Sequence, residues 1–170
     1  MKIDTGVRIK GSFEGILHHA DGTEEITRKD NMIVDAGFDF IFDRLFRDQN
    51  DSSSNKVLQY IAVGTGANVP SVEQTKLSAF LAACTAEYFH TAGTKECKLV
   101  ATFGTGQAIG AITEAAVCFC PDGVPTNTNN YGIFDRVTFP VVNKELDDVY
   151  VCKFKFVLGE LKEAGGVRHG

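Results

Sequence analysis

The sequence predicts a mainly β protein, an antiparallel β-sandwich with one amphipathic helix near 35–47 and an N-terminal β-hairpin arm. Three observations predict it. Val7–Leu17 and Val149–Leu158 alternate apolar and polar residues with the period of two that a half-buried strand requires. Turn signals recur between short apolar runs at the spacing of a sandwich. The segment from Val34 to Arg47 changes to a helical period.

In the first strand Val7, Ile9, Gly11, Phe13, Gly15 and Leu17 share one face, and Arg8, Lys10, Ser12 and Glu14 share the other. Asp21-Gly22 is a hairpin turn signal, and Glu24–Ile33 returns antiparallel, so residues 1–33 form the arm. Phe38, Ile41, Phe42, Leu45 and Phe46 fall at i, i+3, i+4, i+7 and i+8, one apolar stripe suited to anchoring a sheet face. Asp35 is the N-cap candidate, because its carboxylate can accept an early backbone N–H. The polar run Asp48–Asn55 ends the helix.

Val57–Val63 reads as a strand closed by Gly64-Thr65-Gly66. Val72–Ala83 reads as a short helix or an irregular segment, with Leu77, Phe80 and Leu81 on one face. Cys84–His90 and Cys97–Phe103 read as paired strands around Ala92-Gly93-Thr94, and a second glycine ending, Gly104-Thr105-Gly106, follows. Gly110–Cys120, Gly132–Phe139 and Val149–Leu158 complete about eight strands. Pro121–Asn130 is rich in Pro and Asn and reads as a loop. The organisation is one domain, with a sandwich over 34–158 and a loose tail over 159–170.

Composition narrows the function. With 44% hydrophobic and 23% charged residues, a chain of 170 residues can bury a real core and is not disordered in bulk. Thirteen Phe and no Trp favour core packing over a sugar-stacking platform. A net charge of −5 argues against nucleic acid as a partner. The start MKIDTGVRIK lacks the apolar run of a signal peptide, and no run of about 18 apolar residues predicts a membrane span. Synthesis in a cytoplasm is therefore expected, with the five cysteines reduced. Because five is odd, at least one stays free or bonds to another chain.

Gly104-Thr105-Gly106-Gln107-Ala108-Ile109-Gly110 resembles a dinucleotide loop, but its spacing is one residue too long and a strand follows it instead of a helix. No cofactor is expected. Gly64, Gly66, Gly104 and Gly106 read as structural turns at one end of the sandwich. Cys118-x-Cys120 lacks the further ligands a metal needs, and the two thiols read as buried small hydrophobes. Cys118, Cys120 and Cys84 are the candidates for an inter-chain disulfide if any of them faces outward. His18 and His19 face opposite sides of a strand and cannot grip one metal together. The acidic pairs Glu24-Glu25 and Asp147-Asp148 read as solvated turns, and no catalytic or metal-binding residue is assigned.

Four stretches resemble, in order, those of a family of small virion proteins of tailed bacteriophages. They are Asn31–Phe46 (NMIVDAGFDFIFDRLF), Tyr60–Gly66 (YIAVGTG) with Thr75 and Leu77 after it, Phe103–Cys118 (FGTGQAIGAITEAAVC) and Phe134–Lys144 (FDRVTFPVVNK). The resemblance spans Asn31 to Leu158; the cysteines and the PDGVPTNTNN loop depart from it. It implies a non-enzymatic structural subunit of the tail, neck or collar, or baseplate and fibre region. Its place would be the virion, its partners copies of itself and other virion proteins, with no membrane, nucleic acid or cofactor. A capsid decoration protein and a receptor- or carbohydrate-binding module are the alternatives.

Overall fold

A computed structural model describes residues 6–46, 58–121, 123–127 and 130–160. The polar loop expected over Asp48–Asn55, the first residues of the hairpin arm and the tail from 161 onward lie outside the described residues. The chain runs through β1 (Val7–His18), β2 (Glu24–Asp30), β3 (Met32–Ile33), α1 (Asp35–Phe46), β4 (Leu58–Gly64), β5 (Phe80–Thr85), β6 (Glu87–Phe89), β7 (Glu96–Phe103), β8 (Gly110–Phe119), β9 (Gly132–Ile133), β10 (Asp135–Lys144) and β11 (Val149–Glu160).

These strands build two antiparallel sheets, as the alternation predicts. One has the order β2-β1-β11-β7-β6, the other β3-β10-β8-β4-β5, with β9 also paired to β8. Between the sheets lies a core that includes Phe13, Leu17, Ile61, Val63, Phe103, Ile112, Phe139 and Phe154. Phe13 stacks on Phe139 and tilts against Phe154, with ring centroids 5.1 Å apart in both pairs, so rings from the two sheets interlock.

The hairpin is built into the sandwich rather than standing off it as an arm. Every residue of β1 pairs with β11, while its other edge pairs with β2. After β2 the chain changes sheets at Asn31, because β3 pairs with β10. It changes sheets again around Ala86, between β5 and β6. Segment 72–79 is irregular rather than helical, and strand structure begins at Phe80. Pro140 sits where the β10–β8 register shifts between Thr138 and Val142, a place where a ladder N–H is not required.

A second apolar cluster lies on the outer side of the β4–β8 pair. Tyr60, Ala62, Ala116, Cys118 and Ile133 pack there with Val34, Leu77 and Tyr131. Both faces of β4 and β8 are therefore buried, which explains their near-continuous apolar runs.

Candidate functional site

Helix α1 presents most of its apolar surface to solvent. Asp35 opens the helix, and its backbone N–H donates to Val72 O at 2.8 Å. Gly37 is buried against the sandwich, and a Cβ there would run into the Phe134 carbonyl. That close approach turns Phe40 and Ile41 inward. The Phe40 ring stacks on Phe119 at 5.2 Å and meets Phe134 edge-on at 6.3 Å, and Ile41 packs against the core. The stripe predicted to anchor a sheet face thus contributes only Ile41 to the interior. Phe38, Phe42, Leu45 and Phe46 are 44%, 63%, 68% and 77% exposed, with Phe42 and Phe46 stacked on each other at 6.2 Å. Asp39 is exposed on the same helix.

A basic concavity of about 620 Å³ opens across β2, β1, β11 and β7. Arg28, Lys29, Lys98, Lys153 and Lys155 line it together with Glu14 and Asp30. Glu14, Lys98, Lys153 and Lys155 alternate with the buried Phe13, Leu99 and Phe154, so they project from the outer face of the sheet. Arg28 Nε donates to Glu14 at 2.8 Å, Lys153 Nζ lies 3.8 Å from the same carboxylate, and Lys155 Nζ reaches Glu96 at 3.1 Å. These pairs are solvent-exposed, each worth about 1 kcal/mol at most, so they shape the face more than they stabilise the fold.

A buried polar clamp holds segment 64–79 against the second sheet. Glu114 on β8 and Arg136 on β10 are both inaccessible to solvent, and Arg136 Nε donates to Glu114 Oε1 at 2.9 Å. Glu114 also accepts the backbone N–H groups of Gly66, Ser78 and Ala79 at 2.7, 2.9 and 2.8 Å. Arg136 donates to Asn68 O, Asn68 Oδ1 and the Gln74 amide oxygen at 2.9, 3.1 and 3.1 Å. Two buried charges thus satisfy each other and a loop backbone, the condition under which such a pair is tolerated. The neighbouring Asp135 is buried, with no cation paired to it among the described residues. Its carboxylate accepts Val117 N–H at 2.8 Å and the Asn31 amide, and burial pushes its pKa up to about 8.

The sequence-predicted glycines divide by role. β4 runs antiparallel to β8, so Gly64 faces Glu114 near the end of the sandwich where β8 begins and β7 runs out. Gly64 and Gly66 make room for the clamp: a Cβ on either would strike Glu114 and the Ser78–Ala79 segment. Gly106 is a true turn residue at φ +78°, and its N–H donates to Leu146 O at 2.9 Å. A Cβ on Gly104 would meet only Gln107, at an ordinary contact distance of 3.6 Å; the Gly104 N–H is capped by Gln107 at 2.8 Å, and its carbonyl accepts the buried Lys144 ammonium at 2.9 Å.

Cys118 is fully buried, Cys120 nearly so, and Cys84 partly buried; all are free thiols. The Cys118 sulfur donates to Ala116 O and that of Cys120 to Asn130 O. Cys118 and Cys120 therefore cannot meet another chain in this fold, which removes them as inter-chain disulfide candidates. Burial raises the Cys84 thiol to about 11, which leaves little thiolate for exchange.

His19 lies between two carboxylates, Nε2 at 2.5 Å from Glu25 and Nδ1 at 3.1 Å from Asp148, and those hydrogen bonds raise its pKa. Both ring nitrogens are engaged, so neither is open to a substrate. Among the described residues no group of three or more His, Cys, Asp or Glu side chains is placed to hold a metal ion, and no helix is long and apolar enough to cross a membrane.

Sequence reading did not single out Glu114, Arg136, Asp135, Asn31 or the basic concavity. The signal for the first three was present as Glu114 inside AITEAAV and Asp135-Arg136 inside IFDRVTF, charges within otherwise apolar strands. Compared with protein-family models, curated proteins and solved structures, the chain matches none.

Proposed function

We propose that the chain is a non-enzymatic structural subunit of a tailed-bacteriophage particle, in its tail, neck or baseplate region, acting through contacts with copies of itself and other virion proteins. The observation that carries this reading is the outward apolar face of α1. Four large apolar side chains on one helix gain nothing from water, whereas burying each against a neighbour is worth roughly 1.5–3 kcal/mol. The ordered resemblance from Asn31 to Leu158 supplies the virion setting. The doubly buried β4–β8 pair and the Glu114–Arg136 clamp suit a stiff building block.

The test is peptide quantification in purified particles, together with sedimentation of the recombinant chain. A copy number near a small multiple of about three or six, with self-association in solution, supports the reading. Hundreds of copies per particle would instead make it a capsid decoration protein. A chain absent from particles and monomeric at every concentration overturns the proposal.

A further inference from the structure

We propose that His19 is a proton-operated latch on the β1–β2 hairpin. As an imidazolium it ties the start of β2 to the β10–β11 turn; as a neutral ring it lets go of β2 and keeps the turn. The latch is a property of the single chain.

The ring's proton count carries the inference. Nε2 lies 2.5 Å from Glu25 Oε2, and Nδ1 lies 3.1 Å from Asp148 Oδ1. Ionised carboxylates only accept hydrogen bonds, so each contact needs a proton on the ring nitrogen, and a neutral imidazole has one to give. Asp148 is held below the ordinary carboxylate range, first by the Glu145 N–H. The other charges around the ring are few. Asp21 in the same turn is drawn lower by His19, although chiefly by its bonds to Thr23. Lys144 acts on Asp148 from the end of β10, with its ammonium held by Gly104 O at 2.9 Å. Residues 104–109 of the β7–β8 turn carry no titratable side chain, and His18 turns away toward Glu24 at 3.5 Å.

The two carboxylates differ in what they lose. The Glu25 side chain is 58% exposed, so water replaces His19 there at little cost. The Asp148 side chain is 6% exposed, and its Oδ2 is committed to the Glu145 N–H at 2.9 Å. An Oδ1 left without a donor would be a buried charge short of a hydrogen bond. The proton that leaves as pH rises therefore leaves Nε2, and Nδ1–H stays on Asp148. The ring is mounted on the hairpin turn, where His19 N–H donates to Thr23 O at 2.9 Å and Gly22 N–H to His19 O at 3.0 Å. The β10–β11 turn has a further tie, Gly106 N–H to Leu146 O at 2.9 Å. Loss of the Glu25 contact thus loosens the hairpin and leaves that turn in place. Hydrogen bonds to Glu25 and then Asp148 raise His19 above its ordinary 6.5. The latch is therefore fully engaged below that value and opens as pH rises through the folded-state value.

The test is NMR of the full chain with isotope-labelled histidine, the His19 ring being assigned through its backbone. The expected result is a midpoint above 6.5, with both ring nitrogens protonated below the midpoint and Nδ1 alone protonated above it. Across that midpoint the protection of the His19 and Gly22 amides against hydrogen exchange falls about twofold or more, while that of Gly106 and Asp148 holds. Glu25→Gln lowers the midpoint and shrinks the step in protection. A midpoint at or below 6.5, a neutral ring protonated on Nε2, or hairpin protection that does not follow the His19 titration overturns the latch. A Glu25→Gln midpoint equal to that of the unmodified chain overturns it too. Midpoint, tautomer and exchange are all read on the unmodified chain, so they decide the matter even if the variant fails to fold.

Discussion

Asp135→Asn isolates a single buried carboxyl in the pH dependence of stability. Asp135 is inaccessible to solvent, and among the described residues no cation pairs with it. Its pKa is about 8 in the folded chain against an ordinary 3.8. The folded state therefore holds one proton more than the unfolded state across the interval between those values. Stability is greatest below the unfolded value, falls as pH rises toward 8, and is then level. The slope is at most about 1.4 kcal/mol per pH unit, which gives a loss of roughly 4 kcal/mol from near pH 5 to near pH 8. An asparagine carries no charge at any of these pH values. Its oxygen can still accept Val117 N–H, and its amide faces Asn31, whose Oδ1 is buried without a partner. His19 adds a second loss in the same direction, since hydrogen bonds to Glu25 and Asp148 raise its pKa above 6.5. That contribution is common to both proteins and cancels in their difference. The assay is urea unfolding followed by circular dichroism at several pH values. The expected outcome is a variant whose profile lacks the Asp135 slope and that exceeds the unmodified chain in stability near pH 8. Parallel profiles, or a variant weaker at pH 8 than at pH 5 by the full amount, would refute the reasoning.

Three further outcomes are expected. Gly64→Ala and Gly66→Ala should each cost about 1–3 kcal/mol in urea unfolding, because the new methyl displaces Glu114 or the Ser78–Ala79 segment, whereas Gly104→Ala, whose nearest atom is 3.6 Å away, should stay within about 0.5 kcal/mol. Equal losses at all three would remove the distinction between clamp and turn. Arg136→Met should lower stability by about 3–5 kcal/mol, because it strips the cation from a buried carboxylate; a loss below about 1 kcal/mol would show that the backbone donors alone suffice for Glu114. Tyr150→Phe removes a buried hydroxyl that has no partner, so unfolding free energy should hold or rise by about 1 kcal/mol, and a clear loss would reveal an unseen hydrogen bond.

The sandwich was legible where one face of a strand is wet. β1 and β11 alternate because Phe13, Leu17, Phe154 and Phe156 face the core while Glu14, Lys153 and Lys155 face solvent. The pattern fades in β4 and β8 because a second cluster buries their outer side. Helix α1 was legible as a helix but not in its orientation. Periodicity tells which side of a helix is apolar; it does not tell which side has a neighbour, and the contact made through Gly37 decided that. Glu114 and Arg136 are separated by 22 positions in the chain and meet only through the β8–β10 pairing. Their meeting is a tertiary fact, even though charged residues within apolar strands announced that each needed a partner.

The way Glu114 grips segment 64–79 has a practical corollary. Its carboxylate takes hold of main-chain N–H groups, which every residue except proline supplies; Arg136 bonds the side chains of Asn68 and Gln74, and the Ser78 hydroxyl donates to the same Asn68 oxygen. Val69 and Glu73 project into solvent between these fixed points. The segment is thus anchored by its backbone while part of its surface is chemically uncommitted. Foreign residues or a short epitope placed at 69 or 73 would be displayed from a rigid base without disturbing the lock beneath.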